Sequence, residues 1–192
     1  MKRKSLVLVC ALLFASCSKQ PAQQNAGSAS KVTPSSADFR NNVSLATSVA
    51  PSQNEFASDF SWYDNSGKLV SLKSLRGKTV LINFWATWCG PCKAELPDIE
   101  SISKEYASKG LVIVGVSVDK GSDLLNQVSS FVSDNGLTYQ IVIDNDDVAD
   151  AFGNINVIPT SFIVDKDGKI ATRWLGERDK TYLESTIKKF LD

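Results

Sequence analysis

The sequence predicts an α/β protein, a three-layer sandwich around a mixed sheet. Three observations carry that prediction. From residue 79 onward, apolar runs of strand length alternate with segments whose apolar residues recur at helical spacing. Two of the runs, TVLINFWA (79–86) and LVIVGVSV (111–118), are predominantly apolar along their length, as expected of strands buried on both faces. The chain then closes on a hairpin and a helix, which makes the sheet mixed rather than purely parallel.

Taken in order, FASDFSWYDNSGKLVSLKSLRGK (56–78) reads as a β-hairpin turning at Asp64 to Gly67, followed by a loop. After the strand at 79–86, a helix is expected from about Pro91 to Ala107, with Leu96, Ile99, Ile102 and Tyr106 on one face and Lys109-Gly110 as its stop. The strand at 111–118 follows. An amphipathic helix over 123–134 and a strand at YQIVI (139–143) form a helix-strand insertion in the centre of the domain. A short helix is expected from Asp147 to Phe152. TSFIVDKDGKIATRWL (160–175) reads as a hairpin turning at Asp167-Gly168, and Lys180 to Leu191 as the closing helix.

The first residues, MKRKSLVLVCALLFASC, have a basic start, an apolar stretch from Leu6 to Phe14 and small residues before Cys17. That is the pattern of a secretory signal, too short to span a membrane as a helix. Small residues directly before a cysteine resemble a bacterial lipoprotein cleavage site, which implies a lipidated Cys17 at the mature N-terminus and attachment to the membrane through that lipid. Two or more acyl chains hold firmly, at about 0.8 kcal/mol per buried CH₂. Ser18 after the cysteine, in place of Asp, favours an outer membrane where the source has one. From Ser18 to about Asn54 the chain is rich in Ser, Ala, Gln, Asn and Pro and reads as a linker with a span of roughly 30 to 37 Å. The expected organisation is therefore a signal peptide (1–16), a lipidated N-terminus and linker (17–55) and one folded domain (56–192).

Charge excludes one class of partner. The 21 basic and 21 acidic residues cancel, and the basic excess lies in the leader and tail, so a nucleic-acid partner is not expected. Neither GxGxxG, GxxxxGK nor a haem-type CxxCH occurs, and no cofactor is expected.

WATWCGPCKAELP (85–97) places Cys89 and Cys92 at the carboxyl end of a central strand and the start of a helix, where α/β sheets gather their chemistry. A structural zinc site needs four ligands, but the chain has no histidine and its other cysteines, Cys10 and Cys17, lie in the leader, so no metal is expected. A structural disulfide closing so short a loop contributes little chain-entropy stabilisation to a domain of this size. Exchange chemistry explains the pair better, because unpaired N–H groups and the macrodipole at a helix start favour a thiolate.

WCGPC resembles the thioredoxin active site, and the span from about Asp59 to Leu191 resembles the exported branch called TlpA/ResA-like thiol-disulfide oxidoreductases. The resemblance rests on the leading hairpin, LRGK, FWATWCGPCKAELP, the insertion at about 123 to 143, VIPTSFIVDKDGKI and the C-terminal helix, taken in that order. It implies a thioredoxin-like fold and a protein-disulfide oxidoreductase in which Cys89 is the exposed nucleophile and Cys92 the less accessible resolving thiol. Gly90 and Pro91 fit the tight turn into the helix, with Pro91 as its first residue. Pro97 is expected to kink that helix. Trp88 is the better candidate than Trp85 for touching a partner. Ile158-Pro159-Thr160 resembles the family's cis-proline segment, which implies that residue 158 pairs with substrate backbone.

Two departures bear on the mechanism. Asn83 stands where thioredoxin has a buried Asp that assists proton transfer, and an amide cannot titrate. Glu95 lies one turn beyond Cys92 on the same helical face, and the resemblance implies that it takes over the proton. Gly90-Pro91 places no histidine between the cysteines, which predicts a reducing poise, nearer about −270 mV than about −120 mV. The implied partners are exported protein thiols and disulfides, as in cytochrome c maturation, and a membrane electron donor. The protein is expected to act as a monomer outside the cytoplasm. Two alternatives stand beside this reading: a thiol peroxidase of the same fold, although Thr87 is not in the usual threonine-x-x-cysteine relation to Cys89, and a lipid-anchored binding module without catalysis.

Overall fold

The computed structural model describes residues 39–50 and 55–191. The expected signal peptide, Cys17 and the expected linker over 18–38 and 51–54 lie outside these residues. The sheet is built on β6 (Thr79–Trp85) and β7 (Leu111–Ser117), and every residue of β6 is buried. That burial is the physical reason for its largely apolar run, which Asn83 interrupts.

The described chain runs β1 (Phe39–Arg40), β2 (Val43–Leu45), β3 (Ser48–Ala50), β4 (Asp59–Tyr63), β5 (Leu69–Ser71), β6, α1 (Gly90–Tyr106), β7, α2 (Leu124–Asp134), β8 (Gln140–Ile143), α3 (Asp147–Ala151), β9 (Thr160–Val164), β10 (Ile170–Leu175) and α4 (Lys180–Ile187). Seven strands form one sheet in the order β1-β2-β8-β7-β6-β9-β10, and β3-β4-β5 form a second. The pairs β6-β7, β7-β8 and β2-β8 are parallel, whereas β9 runs antiparallel to both β6 and β10. This is the expected mixed sheet, and the hairpin, the helix-strand insertion and the closing hairpin and helix all occur where the sequence predicts them.

Side chains of β6 alternate between two cores. Leu81 and Trp85 face α1, α2 and α4 with Leu96, Ile99, Ile102, Val128, Leu183 and Ile187. Val80, Ile82 and Phe84 face Phe60, Trp62, Val148, Phe152 and Phe162. The second outer layer is thus made by the small sheet and α3, with the main helices on the opposite face. Fully burying Leu96, Ile99 and Ile102 in α1 contributes about 1.5–3 kcal/mol each. Asn83, between Leu81 and Trp85, is directed by the strand's period of two toward α1.

The expected linker is corrected over its last part. Phe39–Ala50 contributes three short strands, with β2 parallel to β8 on the main sheet and β3 antiparallel to β4 on the small one. Long-range contacts hold this segment, not a pattern of its own. Asn42 Nδ2 donates to the carbonyls of Leu137 and Tyr139 at 3.1 and 2.6 Å, Gln140 Nε2 donates to Ser44 Oγ at 3.0 Å, and Val43 is buried in the core. Asn41 supports the tight β1-β2 turn at φ 52°, a left-handed conformation that asparagine tolerates. The folded domain therefore includes Phe39 rather than beginning at residue 56.

Candidate active site

At the carboxyl end of β6 the chain turns sharply, with the Cys89 N–H donating to Ala86 O at 3.1 Å. Asp119, just beyond β7 and 1% exposed, holds that turn. Its carboxylate accepts from Thr87 N–H at 3.0 Å, Thr87 Oγ1 at 2.7 Å and Ser117 Oγ at 2.8 Å.

Cys89 is the N-cap of α1, and the Cys92 N–H donates to its sulfur at 3.2 Å. The helix begins at Gly90, so Pro91 is its second residue rather than its first, a position that still needs no intrahelical N–H partner. Cys89 and Cys92 are joined by a disulfide. Cys92 is fully buried, as expected of the inner thiol. Cys89, expected to be exposed, is only 5% exposed. Its neighbours Trp88, Gly90 and Pro91 are exposed, Trp88 by 67%. Trp85, by contrast, is buried against Phe131 and belongs to the core.

The Ile158–Pro159 peptide is cis, and the Ile158 carbonyl lies 3.9 Å from Cys89 Sγ. Ile158 is half-buried, Val157 exposed and Pro159 buried. Thr160, expected among the substrate contacts, is instead fully buried. Its backbone pairs with Phe84 and Leu175 inside the sheet, and its hydroxyl donates to Val157 O at 2.6 Å, so it shapes the segment from behind. Beside Trp88 and Ile158 lies a groove of about 300 Å³, lined also by Lys120, Asp144, Ala149 and Ile155.

Glu95 sits behind the disulfide, 2% exposed. Asn83 Nδ2 donates to its Oε1 at 2.7 Å, and the Arg178 backbone N–H donates to its Oε2 at 3.2 Å. Asn83 is itself fully buried and also donates to Ser161 Oγ at 3.0 Å. Burial pushes the Glu95 carboxyl up to about 7, against the two hydrogen bonds, which pull it down. It therefore exchanges a proton near neutrality, which an exposed glutamate does not. Asn83 tunes this carboxyl instead of titrating.

The sequence matches the AhpC/TSA family over residues 54–173. It is also 38% identical over 133 residues to the thiol-disulfide oxidoreductase ResA of Bacillus thuringiensis (strain Al Hakam), a match spanning 69% of this chain and 75% of that protein. The chain belongs to the ResA-like thiol-disulfide oxidoreductases. ResA of Geobacillus thermodenitrificans (strain NG80-2) is 41% identical over 137 residues, 71% of this chain and 74% of that protein. Among solved structures, a thiol:disulfide interchange protein of the thioredoxin family from Chlorobium tepidum TLS superposes with a TM-score of 0.65 at 33% identity, covering 74% of this chain and 100% of that one. The expected fold is thereby confirmed as thioredoxin-like. As a ResA-like enzyme, the chain carries out dithiol-disulfide exchange, and Cys89 and Cys92 stand at disulfide distance for it.

Three contributors to the ResA-like site escape the sequence reading: Asp119, Ser161 and the Arg178 N–H. Asp119 had one faint signal, an acidic residue directly beyond a buried strand end. The other two act through distant hydrogen bonds that leave no local pattern.

Proposed function

We propose that this ResA-like oxidoreductase is exported, is held to a membrane by a lipidated Cys17, and reduces disulfides in extracytoplasmic proteins with Cys89 and Cys92. In this reading residues 1–16 are removed as a signal and the residues from Cys17 up to the folded domain act as a tether, which raises the local concentration of the domain at a membrane electron donor. The domain works as a monomer without a cofactor, and oxidised proteins of cytochrome c maturation are fitting substrates. The lipoprotein-like sequence FASC at residues 14–17 supports the anchor, and Ser18 supports an outer membrane where one is present.

The observation that carries the catalytic reading is the Cys89–Cys92 disulfide at the N-terminus of α1, with Glu95 buried one turn further on. The Cys89 thiolate, stabilised by the Cys92 N–H, attacks one sulfur of a substrate disulfide and expels the other as a thiolate. Glu95 takes the proton of Cys92. The Cys92 thiolate then attacks Cys89 Sγ, forming the intramolecular disulfide and releasing the second substrate sulfur. Two electrons pass to the substrate, and the dithiol is oxidised. Trp88, Gly90 and Pro91 form the exposed rim that meets the substrate, and the Ile158 backbone beside cis Pro159 aligns its chain. A peroxidase reading has less support, because the Thr87 hydroxyl is committed to Asp119 and is not free to bind peroxide.

The test is trapping in cells with Cys92→Ser. Proteins disulfide-linked through Cys89 are expected to accumulate and to vanish in the Cys89→Ser, Cys92→Ser double variant. Identical recovery from both variants would overturn the catalytic reading. Loss of acyl labelling and of membrane association in Cys17→Ala checks the anchor independently.

A further inference from the structure

Glu95 faces two ways. Its Oε1 is held by Asn83 in the core, whereas its Oε2 receives the Arg178 N–H at the floor of a cleft of about 220 Å³ between α1 and the loop joining β10 to α4. Ala94, Asp98, Glu177, Arg178 and Asp179 complete the lining of that cleft. Trp88 and Ile158, which frame the groove beside the dithiol, do not border it. The buried carboxylate thus borders an opening to water that is separate from the surface where a protein substrate sits.

That separation matters at one step. When a protein substrate is linked to Cys89, it covers the rim formed by Trp88, Gly90 and Pro91. Glu95 then takes the Cys92 proton while the near side of the site is closed. A group 2% exposed cannot pass its proton to bulk water through a mouth that the substrate fills. We propose that the cleft lined by Ala94, Asp98, Glu177, Arg178 and Asp179 is the route by which Glu95 exchanges its proton with solvent while a protein substrate is bound.

The inference rests on Glu95 acting as the base for Cys92. In the step, the Cys92 S–H bond breaks and an O–H bond forms on Glu95. The electron pair stays on the Cys92 sulfur and becomes its new bond to Cys89 Sγ, while the substrate sulfur departs as a thiolate. Glu95 must be ionised to accept that proton, so a proton already held on it in the mixed disulfide first leaves from Oε2 to water in the cleft, while the substrate is still linked to Cys89.

The groups around Glu95 suit this role. On its own helix, Cys92 lies one turn before it and Asp98 lines the cleft. From the β10-α4 loop come Glu177, Arg178 and Asp179. From the segment before β8, the buried Tyr139 phenol feels the Glu95 charge, and burial holds that phenol protonated well above its usual range. Glu177 raises the proton affinity of Glu95 and Arg178 lowers it. The three carboxylates around the cleft outnumber its one guanidinium, so its lining is polar and open to water.

Ala94 is an exposed helical residue on the cleft, so a large side chain there fills the opening without entering the core. The experiment compares wild type and Ala94→Trp in single-turnover reduction of two oxidants, insulin and glutathione disulfide, in H₂O and D₂O. With insulin, Ala94→Trp is expected to slow release from the mixed disulfide by about tenfold or more and to enlarge the solvent isotope effect, since a positioned acid-base group contributes about 10²–10⁴. With glutathione disulfide, too small to close the mouth, its rate is expected to equal that of wild type. Equal slowing with both oxidants, or no slowing with either, overturns the inference. Glu95→Gln separates the two levels. If it removes the pH dependence while Ala94→Trp is silent, the base assignment stands and the cleft assignment falls; if it leaves the pH dependence intact, both fall.

Discussion

Asn83 Nδ2 lies 2.7 Å from Glu95 Oε1, a hydrogen bond between the central strand and the helix that Cys89 caps and that carries Cys92. The other polar atom of that amide, Oδ1, is buried and has no hydrogen-bond partner among the described residues. The amide is therefore oriented entirely as a donor, which favours the ionised carboxylate. Its effect opposes the larger one of burial, and the balance leaves Glu95 near neutrality.

Replacing Asn83 by Leu removes the donor while keeping the volume close. The Glu95 carboxyl is expected to move above its value of about 7, and the alkaline rise in the rate of disulfide exchange should move up with it. Asn83→Asp instead places two carboxyls against each other, so the pair should titrate in two coupled steps and lose about 1–3 kcal/mol of stability at alkaline pH. A pH-rate profile for each variant checks the direction.

Glu95 also makes stability depend on pH. Its folded carboxyl binds a proton at about 7, against an ordinary 4.5, so the folded state holds the proton more tightly than the unfolded chain. The stabilisation is complete below the ordinary value and is lost as pH rises through about 7. The loss amounts to about 3 kcal/mol as an order of magnitude. Urea unfolding of the oxidised protein should accordingly show Glu95→Gln gaining on wild type between about pH 4 and about pH 8. A difference that stays constant over that range contradicts the assignment.

Asp119→Ala strands the Thr87 N–H, the Thr87 hydroxyl and the Ser117 hydroxyl, all of which donate to that carboxylate. The expected cost is about 1–3 kcal/mol for each donor left buried and unpaired, and Asp119→Asn should recover part of it. Because the same bonds fix the turn into Cys89, exchange should slow as well. Denaturation midpoints and exchange rates measured on both variants separate these effects.

Much of this was legible in the sequence, and the rest was not for identifiable reasons. The buried strand at Thr79–Trp85, the dithiol at Cys89 and Cys92 and the placement of Glu95 one turn later follow from local runs and helical spacing. Strands of two or three residues, such as Phe39–Arg40 and Val43–Leu45, are too short to show a period. They form because the edge of β8 offers a partner and Asn42 bridges two distant carbonyls. The Arg178 contribution is a backbone N–H and has no residue signature at all. Cys89 is nearly buried with the Ile158 carbonyl 3.9 Å from its sulfur, a neighbour that only the fold brings within reach.

Gly115 illustrates the same limit. Nothing in the run LVIVGVSV marks it out, but a Cβ there would meet Ile141 Cδ1 at 2.7 Å, Trp85 Nε1 at 3.0 Å and Tyr139 Cε2 at 3.1 Å. Gly115→Ala is expected to destabilise the domain by about 1–3 kcal/mol through overpacking, read as a lower thermal midpoint.

The central claim is that a buried Glu95, poised near neutrality, is the proton acceptor for Cys92. Carbon-13 NMR titration of the glutamate side-chain carboxyls, with Glu95 assigned by its absence in Glu95→Gln, tests it most directly. The account predicts one carboxyl titrating at about 7, well apart from the other glutamates. A Glu95 carboxyl that titrates near the ordinary 4.5 would contradict it.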